Sequence, residues 1–178
     1  MKFSVQLVLA VLATAVSATP LIVQRDFNSI SKVISDVQTK LDAVAASVSK
    51  DDTEGTLSSG KALISACQAG TSEVKKSQEL ALSDTAKLLG PVGTLKQHGQ
   101  KLHDDFISKR GKIEGRKMCG KAREMLGQFS SSAHELIEAI ISKVPQASRG
   151  IASSTAKEIT DLIDDIKANF GPDKCKGA

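Results

Sequence analysis

The 178-residue sequence contains no tryptophan, no tyrosine and only five phenylalanines. Nucleic-acid binders interleave aromatics with a concentrated basic face, and that combination is missing, so no nucleic acid is expected as a partner. Neither sign of charge dominates, with 24 basic against 20 acidic residues. Beyond residue 18 no uncharged apolar run approaches the roughly 20 residues that cross a bilayer, so no transmembrane segment is expected. Motifs for chemistry are absent as well. No P-loop, dinucleotide fingerprint or Gly-x-Ser-x-Gly elbow occurs, and no Cys-x-x-Cys pair suggests zinc. His98 and His103 stand five apart, which does not place them on one helical face as ligands. His103-Asp104-Asp105 reads as an exposed polar helix face, and Asp161, Asp164 and Asp165 lack the spacing and glycine of a calcium loop. The expectation is a non-enzyme with no cofactor and no metal.

What is present begins with an export leader. Lys2 precedes an almost unbroken apolar stretch from Val5 to Val16, and Val16-Ser17-Ala18 supplies the small residues of a cleavage site. Residues 1–18 are therefore expected to be a signal peptide, 19–25 a short N-terminal extension, 26–171 a helical bundle domain and 172–178 a C-terminal tail. The chain is expected to be secreted. Without Lys2 the balance is 24 − 1 = 23 basic against 20 acidic residues, near +3. One local basic cluster, Lys109, Arg110, Lys112, Arg116, Lys117, Lys121 and Arg123, reads as a solvated loop and helix start, with an anionic surface as the alternative target.

The rest is dominated by apolar residues spaced three and four apart, the stripe of an amphipathic helix. Phe27, Ile30, Ile34, Val37, Leu41, Val44 and Val48 form the first stripe, with Asp26 placed to cap it. A second helix is expected from a Thr53 cap to Gly90-Pro91, carrying Leu57, Leu63, Ile64, Cys67, Val74, Ala81, Leu82, Leu88 and Leu89, with Gly70 a point where it bends. A third follows Pro91 with Val92, Leu95, Gly99, Leu102 and Phe106, and ends at a loop from Lys109 to Gly115. The fourth runs from about Arg116 to Val144, and the fifth from Pro145 to Gly171-Pro172. No alternating run signals a strand, so the fold expected is all-α, an antiparallel bundle of about five amphipathic helices.

Three cysteines remain to be placed. Cys119 opens the fourth helix 26 residues before Pro145, and Cys175 follows the fifth, 30 residues after it. At about 1.5 Å rise per residue, two antiparallel helices joined at Pro145 bring these ends to one height. A Cys119–Cys175 disulfide is expected, with Cys67 a buried thiol. An unpaired third thiol also permits a covalent dimer, and the oligomeric state is not readable from sequence.

Several segments recur in one order: Arg25-Asp26 ahead of a helix from Phe27 to Val48, Ala81-Leu82-Ser83-Asp84-Thr85 before Leu88, Ile141 to Pro145, and Gly150-Ile151-Ala152 running to Phe170. In that order and spacing the chain resembles the fungal hydrophobic surface-binding protein A family, which includes secreted cell-wall galactomannoproteins. The resemblance implies binding of fatty-acid-like lipids or hydrophobic surfaces through an apolar cavity or face, with secretion or cell-wall association. Inward hydroxyls could orient a carboxylate there. The expected lipid contacts, chosen from the stripes, are Ile34, Leu41, Leu63, Cys67, Leu102, Phe106, Met125, Phe129, Leu162 and Ile166. The alternatives are a structural or antigenic wall mannoprotein without a ligand, and an extracellular factor that recruits a partner such as a secreted hydrolase.

Overall fold

The computed structural model describes residues 19–176, and side chains from residue 26. The expected signal peptide lies outside the described residues. Five helices make up the fold: α1 (Thr19–Ser49), α2 (Thr53–Lys76), α3 (Leu82–Gly115), α4 (Cys119–Ser142) and α5 (Gln146–Asn169). There is no strand among the described residues.

The helices form a closed ring in the order α1, α2, α4, α5, α3 and back to α1. Helices consecutive in sequence run in opposite directions. Ring neighbours nevertheless include parallel pairs, because α2 and α3 are joined across the end of the bundle and do not pack side by side. The α3–α5 seam shows this: Lys96 pairs with Glu158, His103 with Asp165 and Arg110 with Asn169, so the partner's number rises along both helices. Gly60 and Gly70 set how closely α2 lies to its neighbours. A methyl group at Gly70 would lie 2.6 Å from Val33 Cγ1 and 3.3 Å from Leu136 Cδ1. Gly70 therefore marks a close approach to α1 and α4 inside an unbroken helix, and not a bend.

Several boundaries differ from those read in the sequence. The helix expected to begin at an Asp26 cap already runs from Thr19. Asp26 is buried and instead accepts a hydrogen bond from the Gln78 N–H, at 3.2 Å. That contact is long-range, so local pattern could not reveal it. Asp52, not Thr53, caps α2, its carboxylate accepting from the Gly55 N–H at 2.9 Å. The second helix stops at Lys76, and residues 77–81 cross the bundle end, where Leu80 is buried and its N–H donates to the Lys143 carbonyl.

Pro91 then lies inside α3 without ending it. Proline in a helix interior costs about 3 kcal/mol. The carbonyl it leaves unpaired, four residues back, belongs to exposed Lys87, so water can satisfy it. Burial of Leu88, Leu102 and Phe106 offsets the rest. The expected loop at Lys109–Gly115 is also helix, because Ile113 packs on the core and Lys109 and Lys112, three apart, both reach Asp51. Tertiary contacts override the unfavourable Gly111.

Cys119 and Cys175 are joined by a disulfide, with Cα atoms 5.6 Å apart and 56 residues between them in sequence. Arg123 secures the same tail, donating from Nε to the Phe170 carbonyl at 3.0 Å and from Nη2 to the Cys175 carbonyl at 3.2 Å.

Candidate functional site

A ring of five helices cannot bring every stripe to one axis without leaving space, and here a cavity of about 70 Å3 remains at the centre. All five helices line it. Ile34 and Leu41 come from α1, Cys67 from α2, Leu102 from α3, Phe129 from α4, and Leu162 and Ile166 from α5. These are seven of the ten residues nominated from the stripes. Leu95, Gly99, Leu136, Ile140 and Ile159 are among those that complete the wall. Their stripe spacing was visible in the sequence, but which stripe residues face a void was not.

The three other nominated residues lie elsewhere. Leu63 is buried in the core, one turn before Cys67, and is not part of the cavity wall, to which α2 contributes Cys67 alone. Phe106 and Met125 lie one turn further along, in a second pocket of about 60 Å3 at the end of the bundle. Its floor includes Val48, Leu57, Phe106 and Met125, and its rim carries Asp51, Lys109, Lys112 and Arg116.

The central lining is aliphatic or aromatic apart from the Cys67 thiol and Gly99. No hydroxyl belongs to it, so the inward hydroxyl expected to orient a carboxylate is not there. Cys67 is 1% exposed, and burial pushes its thiol up to about 12, so it is protonated and unreactive at neutral pH.

Polar contacts gather on the seams around the cavity and at its basic end. His98 on α3 pairs with Asp42 on α1. His103, read from sequence as part of an exposed face, is sunk into the α3–α5 seam, where it bonds Asp165 at 2.7 Å and Asp104 at 2.9 Å. Burial opposes its charge, but hydrogen bonds to the two carboxylates outweigh that, and the net shift of its pKa is upward. At the basic end, Asp51 has positive φ (57°) and receives Lys109 at 2.9 Å and Lys112 at 2.7 Å. Hydrogen bonds from Lys112 and then Lys109 hold its carboxyl down to about 2. Three members of the basic cluster, Lys109, Lys112 and Arg116, thus form a built rim at the end of α3, while Lys117 and Lys121 are exposed as a solvated segment would be. The rim's signal was in the sequence: Lys109, Lys112 and Arg116 follow the same three-and-four spacing as an apolar stripe.

Residues 27–142 match the model of a family described as hydrophobic surface binding protein A. Cell wall mannoprotein 1 of Aspergillus flavus is 32% identical over 166 residues, covering 92% of this chain and 60% of the relative. The chain thus spans about three fifths of that curated relative's length. Among solved structures, ligand binding domain 1 of the Penicillium marneffei MP1 protein, complexed with arachidonic acids, superposes with a TM-score of 0.79 at 23% identity. It covers 83% of this chain and 99% of that one. AFMP4P in complex with palmitic acid superposes with a TM-score of 0.70 at 14% identity, covering 84% and 99%. At such identities these two likenesses establish the fold alone.

Proposed function

We propose that this chain, which belongs to the hydrophobic surface binding protein A family, is a secreted, non-catalytic carrier that encloses the acyl chain of a fatty acid among its five helices. The observation that carries the reading is the central cavity, apolar on every side and lined from all five helices. The arachidonic and palmitic acid complexes of proteins with this fold support it. So does the chemistry of the lining, whose one titratable side chain is a thiol held protonated by burial. The cell wall mannoprotein relative supports a place outside the cell or in its wall. No helix among the described residues is long and apolar enough to cross a membrane.

The cavity as it stands is smaller than its guest. An apolar cavity of about 150 Å3 holds a benzene molecule, and about 70 Å3 is roughly half of that. Binding therefore requires ring helices to move apart. The driving force is the transfer of about 14 methylenes from water, a gross 11 kcal/mol or so at about 0.8 kcal/mol each, which opposes the cost of separating packed side chains. The α3–α5 seam, closed by the exposed Lys96–Glu158 pair and the half-buried His103–Asp165 contact rather than by apolar packing alone, is the natural place to widen.

Titration of delipidated protein with palmitate tests the reading, with native mass spectrometry to count bound molecules. Saturable uptake at micromolar concentration or below is expected. No uptake, together with no fatty acid in an organic extract of the secreted protein, would end it.

A further inference from the structure

We propose that the basic end of the bundle seats the carboxylate head of the acyl guest, which lies on Lys112 and Arg116 while its chain passes Phe106 into the central cavity. The inference rests on the carrier reading above and adds where the charged head goes.

The lining itself forces the question. An ionised carboxylate in the central cavity would meet only aliphatic carbon, aromatic edges and one thiol, whose weak S–H donor cannot replace water around a charge. The head must sit at an end. One end is closed by buried Leu80 and Val144. The other carries a pocket of about 60 Å3 whose floor is apolar and whose rim is charged, the lining an amphiphile's head and first methylenes require.

Charge at that rim is unbalanced in the right direction. Its charged side chains are Lys109, Lys112 and Arg116 against Asp51 and Asp52. Asp52 is engaged in capping α2, which leaves Asp51 facing three cations. Arg116 donates only from Nη1, to the Asp51 carbonyl at 2.9 Å and the Thr53 hydroxyl at 3.1 Å. Its Nε and Nη2 have no acceptor among the described residues. Lys112, 59% exposed, places one of its three protons on Asp51. Together they offer free donors for a second carboxylate.

The lengths agree as well. Along α3, Lys109 at the rim and Leu95 on the cavity wall are 14 residues apart, about 21 Å. Along α1, Val48 and Ile34 give the same span. An extended chain of sixteen carbons, at roughly 1.25 Å per carbon for bonds of about 1.5 Å, is about 20 Å long. Phe106 lines the end pocket one turn beyond Leu102 of the central wall, edge-on to Phe170 at 5.8 Å, which places the two spaces one helical turn apart along α3.

The test uses the mature, disulfide-intact protein and three ligands that share a sixteen-carbon tail: palmitate, hexadecanol and hexadecyl phosphate. Unaltered protein is expected to prefer palmitate to hexadecanol about tenfold. In the double variant Lys112→Ala/Arg116→Ala that preference collapses to parity, and in Lys112→Arg/Arg116→Lys it survives. Asp51→Asn removes the competing carboxylate while asparagine still tolerates the positive φ, and palmitate should bind roughly three- to tenfold more tightly. A double variant that keeps its preference, or an Asp51→Asn protein with no gain, places the head elsewhere. Tighter binding of hexadecyl phosphate than of palmitate by the unaltered protein would make this a phosphate site and overturn the assignment. Failure to bind any of the three defeats the carrier reading itself, a different result from failure to discriminate among them.

Discussion

Gly99 offers the sharpest handle on whether the central space is a binding cavity. It lies on the wall, and a Cβ built there would make only an ordinary contact, 3.8 Å from Leu162 Cδ1. Gly99→Ala should therefore stabilise the helix by about 1 kcal/mol through backbone propensity alone. Gly99→Leu adds the filling of the void. At about 24 cal/mol per Å3, a cavity of about 70 Å3 represents about 1.7 kcal/mol of lost contact. Filled without strain, the total gain for Gly99→Leu approaches 2.5 kcal/mol, or roughly 5–10 °C in Tm for a domain of this size. The same side chain occupies the space claimed for the ligand, so palmitate affinity should fall at least tenfold. Thermal unfolding followed by circular dichroism and palmitate titration on one preparation read both quantities. Stability and binding should move in opposite directions along the series Gly, Ala, Leu. A Gly99→Leu protein that is destabilised yet takes up palmitate normally would refute the reasoning, since it would put the guest somewhere other than this cavity.

Other outcomes follow from the same structure. Replacing Cys119 and Cys175 with serine frees a segment of 56 residues and should cost about 2–4 kcal/mol, read as a lower urea midpoint. Cys67, with its thiol pushed up to about 12, should resist a thiol reagent in the folded protein and react fully in denaturant; fast labelling of native protein would contradict its burial. His103 has its pKa raised above 6.5 in the folded state, so its contribution is complete below that value and is lost as pH rises through the raised one. The urea midpoint should accordingly decline from pH 6 to 8.5, and His103→Asn should flatten that decline; equal slopes in both proteins would argue against it. Asp51 works in the opposite sense. Its carboxyl is lowered from 3.8 to about 2, so its contribution holds above 3.8 and is lost as pH falls toward 2, a loss that Asp51→Asn should abolish.

The helical class and most of the core were legible in the sequence because both rest on local spacing. A stripe at three and four residues can bury itself only as a helix face, and Ile30, Ile34, Val44 and Phe170, all on such stripes, are nearly inaccessible to solvent. The pairing of Cys119 with Cys175 followed from helix length alone. The errors fell where local signals met long-range contacts. Pro91 and Gly111 looked like breaks, yet α3 runs through both since its neighbours hold it. Asp26 looked like a cap and is a tether for residues 77–81.

By itself, then, the amino-acid order determined that amphipathic helices would form and which faces they would hide, because periodicity is a property of the chain. Only the tertiary structure decided that the five helices close into a ring, that Cys67 and not Leu63 meets the central space from α2, and that three cations converge on one rim around Asp51. A void and a convergence of charge are relations among helices distant in sequence. They exist only once packing has fixed how far apart those helices stand.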